Sequence, residues 1–105
     1  MTAEIPTTSI RFTLVHKDDY KVDLEYNEAL VILHLPLVTK MTKSVYQDMK
    51  KSLMSFLPFL ASVGHDFIWA AVPQEDNLTS KLLKKLEFEK VGETEVYDLY
   101  RKETY

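Results

Sequence analysis

Three histidines, His16, His34 and His65, are the side chains best suited to proton transfer near neutral pH. They fall on separate stretches, no pair has helical i,i+4 ligand spacing, and no carboxylates accompany them at ligand spacing. No metal site is expected. His34 lies in an apolar run two residues before Pro36. An imidazole there could serve as a general base, although the commoner role is a core histidine bonded to a backbone carbonyl. Asp18, Asp19, Asp23, Glu25 and Glu28 crowd a polar turn and one strand face, the setting of solvated acids rather than of a glycosidase pair. Ser44, Ser52, Ser55, Ser62 and Ser80 occur without a GxSxG elbow, so serine hydrolysis has no support. With no cysteine there is no thiol nucleophile, disulfide or thiolate metal site, which fits a reducing compartment.

Glycine supplies the strongest exclusion. The chain has only Gly64 and Gly92, so neither GxG nor GxxxxGK occurs. Phosphate cradles of that kind need bare backbone against a pyrophosphate. Lys81, Lys84 and Lys85, with Lys40, Lys43, Lys50 and Lys51, make two helix faces basic. The net charge of −3 nevertheless argues against nucleic acid as the partner.

At 105 residues, with 46% hydrophobic and 28% charged residues, the sequence has the composition of one globular domain. No run approaches the ~20 apolar residues of a membrane span. The opening MTAEIPTTS lacks a basic start and an apolar run, so no leader is expected. Residues 1–8 are read as a flexible arm.

The elements follow from periodicity. Residues 9–16 alternate with Ile10, Phe12 and Leu14 on one side, and residues 21–26 with Val22, Leu24 and Tyr26, predicting an antiparallel hairpin with one wet face. Residues 29–38 are almost wholly apolar, the pattern of a strand covered on both faces. Pro36 should stop or bulge its pairing. Residues 43–63 predict a helix, capped by Thr42 or Ser44, kinked or broken at Pro58 and ended by Gly64. Residues 66–72 predict a second buried strand, parallel to the first and closed by Pro73. Residues 77–86 predict a short helix burying Leu78, Leu82, Leu83 and Leu86. The tail predicts strands over 87–91 and 95–101, turning at Gly92-Glu93. Tyr46, Phe56, Phe59, Phe67 and Trp69 are assigned to the core, and Tyr97, Tyr100 and Tyr105 to an interface. The fold class is α/β (α+β), a mixed sheet in the order β-β-β-α-β-α-β-β with helices packed on it.

That order, together with DFIWAAV, PQEDN, LTSKLLKKLEF, EKVGE and TEVYDLYRK, resembles the Gcn5-related N-acetyltransferase family without its first strand and first two helices. The resemblance implies acetyl-CoA in a V-shaped gap between two diverging parallel strands, with the pyrophosphate held just after the first. Pro36 and Pro73 give an independent reason for such a gap, because each removes an amide donor at one end of the strand pair. The family's loop pattern, Gln/Arg-x-x-Gly-x-Gly/Ala, falls on Lys40-Met41-Thr42-Lys43-Ser44-Val45. Side chains on Lys43 and Val45 would crowd the phosphate nest, leaving lysine charge in its place. The family's acid tyrosine falls on Leu83, its glycine before the phenylalanine on Glu87, and its loop asparagine on Asp76, or on Asn77 with a one-residue slip. The runs HLPLVTKMTKSVYQDMKKSL and FIWAAVPQEDN also look like glycine-poor acetyltransferase-like proteins of tailed bacteriophages.

The expectation is an acetyltransferase-like domain with an eroded cofactor loop: a non-catalytic binding or assembly protein of viral kind, in host cytoplasm or virion. It would have a protein partner or self-association and need no cofactor. The alternative is an active N-acyltransferase on an amine or protein acceptor. There acetyl-CoA would be held by Leu37, Val38, Lys40, Lys43, Ser44 and Asn77, with His34 as base.

Overall fold

The computed structural model describes residues 9–27, 29–38 and 41–105, with only the backbone of Leu37 and Val38. The arm assigned to residues 1–8, and Lys40, lie outside the described residues. Six strands form one mixed sheet, with β1 (Ile10–His16), β2 (Tyr20–Tyr26), β3 (Val31–Val38), β4 (Phe67–Pro73), β5 (Glu89–Glu93) and β6 (Tyr97–Glu103). Their spatial order is β1-β2-β3-β4-β6-β5. Helix α1 (Lys43–Ser62) links β3 to β4, and α2 (Asn77–Lys85) links β4 to β5. Among the described strands β3 and β4 run parallel and the other four neighbouring pairs antiparallel.

Both helices cover the same face of the sheet. Met49 and Leu53 of α1 meet Val22, Leu33 and Leu86 around one small space, and the Tyr46 hydroxyl donates to the Lys85 carbonyl at 2.8 Å. Val22, Leu24, Val31, Leu33, Ala70, Val72 and Tyr100 point into this core. On the opposite face Ile32, Trp69, Ala71 and Leu99 line a shallow apolar depression. The run over 29–38 is therefore covered on one face only, not two.

Thr42 caps α1, its hydroxyl accepting from the Val45 N–H at 3.1 Å, so Ser44 is not the cap. The helix is not broken at Pro58. Pro58 is exposed, while the apolar stripe of Met49, Leu53, Leu57 and Leu60 continues past it and outweighs one missing bond. Gly64, at φ +94°, ends the helix. Its N–H donates to the Ala61 carbonyl and that of His65 to the Leu60 carbonyl, the paired pattern of a Schellman motif. Helix α2 ends in the same way, with Glu87 and Phe88 donating to the Lys84 and Leu83 carbonyls. The left-handed position is here a glutamate, Glu87 at φ +69°.

Several expected core positions lie elsewhere. Ile10 and Phe12 are exposed because β1 is an edge strand, where they and Phe56, Phe59 and Leu60 of α1 line an open apolar cleft, the Phe12 and Phe56 rings 5.8 Å apart. Leu78 and Phe59 are also exposed, and Tyr46, Phe56, Phe67 and Trp69 are only partly buried. The buried aromatics are Tyr20, Phe88 and Tyr100, so Tyr100 offers no interface, whereas Tyr97 and Tyr105 are exposed. Burial and a hydrogen bond to Asp48 push the Tyr20 hydroxyl up to about 12. The last hairpin turns at residues 94–96 rather than at Gly92-Glu93. Thr94 supplies that turn, its hydroxyl accepting from the Tyr97 N–H at 2.9 Å. Gly92 follows a bulge at Val91.

Candidate functional site

The β3–β4 ladder has one registered pair, Ile32 with Trp69. Four residues further along each strand stand Pro36 and Pro73, which would face each other if the register continued. Neither has an amide hydrogen to bond across, and the strands part. Pro36 does not end β3, which continues to Val38 against β2. The β2–β3 register, Lys21 with Leu37 and Asp23 with His34, leaves one extra residue on β3 there, a bulge at Leu35-Pro36. Proline thus acts on both sides of β3, bulging one ladder and opening the other.

The opening is a gap of about 190 Å³ lined by His34, Pro36, Ala71, Pro73, Asp76 and Leu83, with Arg11 reaching in from β1. It passes through the sheet, since His34 and Ala71 stand on the uncovered face while Thr79 and Leu83 belong to α2. The His34 Nε2 lies 2.9 Å from Glu25 Oε1 on β2. Glu25 also accepts from the Ser9 hydroxyl at 2.9 Å. These bonds, His34 first, hold its carboxyl below the usual range, so it is anionic at neutral pH. An anionic carboxylate accepts best from a protonated Nε2, and in that tautomer a histidine's lone pair sits on Nδ1.

Beside this pair, Asp23 is only 5% exposed. Burial alone would raise its pKa. Hydrogen bonds from the Thr13 hydroxyl at 2.9 Å and Arg11 Nε at 3.2 Å, with the charges of Lys21 and Arg11, prevail and hold it below the ordinary value. Sequence reading placed Asp23 among solvated acids. Burial of the strand around it, and three partners on two strands, give it an anchoring role that alternation alone does not reveal.

The other sequence candidates are dispersed. Lys43 and Ser44 are exposed at the start of α1, where Met41, Thr42, Lys43, Tyr46 and Lys85 surround an open depression of about 500 Å³. Two lysines make it cationic. Thr42 itself occupies the Val45 N–H, and residues 40–45 contain no glycine. Leu37 and Val38 lie on β3 with backbones directed to Lys21 and Tyr20 of β2. Asn77 is exposed as the first residue of α2. Asp76 is the residue that reaches the gap, and both its oxygens are engaged by the Thr79 N–H and hydroxyl, at 3.0 and 2.7 Å. Leu83 is fully buried in the gap wall. Of the remaining histidines, buried His65 stacks edge-on with Tyr26 at 4.9 Å, and His16 is exposed. Among the described residues no three His, Cys, Asp or Glu side chains are grouped to hold a metal ion. No helix there is long and apolar enough to cross a membrane.

This six-stranded sheet with two helices and a parted parallel pair has the N-acetyltransferase fold, and comparison with solved structures bears that out. The chain is similar to the Campylobacter jejuni N-acetyltransferase PseH in complex with acetyl coenzyme A, with TM-score 0.65 and 16% identity over 89% of this chain and 66% of that one. It is similar to a Vibrio cholerae spermidine N-acetyltransferase SpeG chimera, with TM-score 0.65 and 13% identity over 95% of this chain and 69% of that one. An aminoglycoside 6'-acetyltransferase type Ii gives TM-score 0.62 and 18% identity over 96% and 72%. The chain thus spans about two thirds of each of these proteins. No family model and no curated protein matches the sequence.

Proposed function

We propose that this chain is an acetyltransferase-fold binding or assembly protein of the viral kind, which does not itself transfer acyl groups. The observation that carries this reading is Leu83, buried in the gap wall at the position where the resembled family places its acid. A leucine has no proton to give a departing thiolate. The capped helix start and glycine-free loop support the same conclusion for the phosphates. A partner-binding role is supported by the apolar margin of Ile10, Phe12, Phe59 and Val63, all exposed. Light scattering that found only monomers, with no species of higher mass at any concentration, would count against self-association.

The His34–Glu25 pair favours a second reading, an active N-acyltransferase in which His34 Nδ1 takes the proton of an amine. Acetyl-CoA would lie against Lys43, Ser44 and Asn77 and supply the activated acyl group. Thermal unfolding separates the two readings, because a ligand that binds only the native state raises its stability. The proposal expects an unchanged midpoint with millimolar acetyl-CoA. A saturable rise that Lys43→Ala weakens would overturn it.

A further inference from the structure

We propose that the β3–β4 gap takes a small ligand bearing an oxyanion, a carboxylate or a phosphate, and that the Arg11 guanidinium reads that group. The inference rests on the gap as the ligand-holding part of the molecule and needs neither acetyl-CoA nor turnover. Arg11 lies two strands away from β3, yet its side chain crosses β2 to line the gap beside His34.

Its placement is built in. Nε donates to Asp23 Oδ2 at 3.2 Å, and Asp23 is itself fixed by the Thr13 hydroxyl on its other oxygen. A guanidinium has five donors in a rigid planar fork. Among the described residues Nε is hydrogen-bonded and neither terminal nitrogen is. The side chain is 47% exposed, and an incoming ligand can reach it.

The acids around the gap are already engaged. Asp23 is matched by Arg11 and Lys21, Glu25 by His34 and Ser9, and Asp76 by Thr79 through both oxygens. Among the described residues Arg11 is the one lysine or arginine lining the gap, and its fork matches two oxygens of one oxyanion. The gap of about 190 Å³ has room for a small charged group.

The experiment follows backbone amide shifts of the intact chain at low ionic strength during separate titrations with inorganic phosphate, sodium acetate and sodium chloride. A saturable response centred on His34, Ala71 and Arg11, from phosphate or acetate but not chloride, is expected. Whichever anion gives it identifies the group. Arg11→Gln should weaken that response about tenfold or more, with Arg11→Lys between the two. Ala71→Trp, at an exposed position, should abolish it by filling the gap while leaving Arg11 in place. No saturable response to either oxyanion would overturn the proposal, as would one that Arg11→Gln leaves unchanged. Since coenzyme A is absent throughout, this result stands apart from the thermal test above.

Discussion

Replacing Asp23 by asparagine tests the anchor on which the site depends. The change is nearly isosteric, and the remaining carbonyl oxygen can still accept from Thr13. It removes the charge facing Arg11 and Lys21 and turns an amide toward one of them. Hydrogen bonds to charged groups contribute about 1.5–3 kcal/mol each. Arg11 and Lys21 are 47% and 32% exposed and recover some hydration, so the expected loss at pH 7 is about 1.5–3 kcal/mol in total, not per bond. With a urea slope of about 2 kcal/mol/M, the unfolding midpoint should fall by about 1 M. The pH dependence supplies the decisive control. Because the folded carboxyl lies below its usual 3.8, its stabilisation is full above that value and is lost as pH falls through the folded pKa. At about pH 3 wild type and variant should differ by less than at pH 7. Equal destabilisation at both pH values, or none at pH 7, would refute the argument that a buried, charged Asp23 holds Arg11.

Two further substitutions probe the frame of the site. Glu87→Gly should stabilise the protein by about 0.5–1 kcal/mol in urea or thermal unfolding, since φ +69° strains a side chain and suits glycine. The contact with Lys102 that the exposed Glu87 side chain gives up, at 3.4 Å, contributes little. Leu83→Ala should cost about 2–4 kcal/mol in the same assays, because it empties a fully buried position between α2 and the gap.

Most of the architecture was legible because each element carries its own period. Leu53, Leu57 and Leu60 mark one helix face, Val22 and Leu24 one strand face, and the element order leaves little topological choice. Pro36 and Pro73 marked the place where the parallel strands part, since a missing amide donor has the same effect in any context. What local pattern could not supply was cover. Ile32 and Val31 look alike in an apolar run, yet only Val31 meets a helix. Ile10 and Phe12 alternate correctly on an edge strand, where α1 leaves an open apolar cleft rather than a closed core. The candidate site was partly legible: His34 was singled out by its place before Pro36, whereas Glu25, Asp23 and Arg11 became its neighbours only through the register of β1, β2 and β3. Nothing within nine residues of His34 announces Glu25 as its partner. The Glu87 position shows the reverse case, in which a residue out of pattern with the resembled family still adopts the backbone conformation that glycine would favour there.

The central claim, a gap without acid chemistry, is met most directly by following free coenzyme A with a thiol reagent while the protein is incubated with acetyl-CoA and a panel of primary amines. A chain with no cysteine contributes no background to that signal. The account predicts release at the rate of buffer alone for every amine. Release above that rate, abolished by His34→Gln, would contradict it.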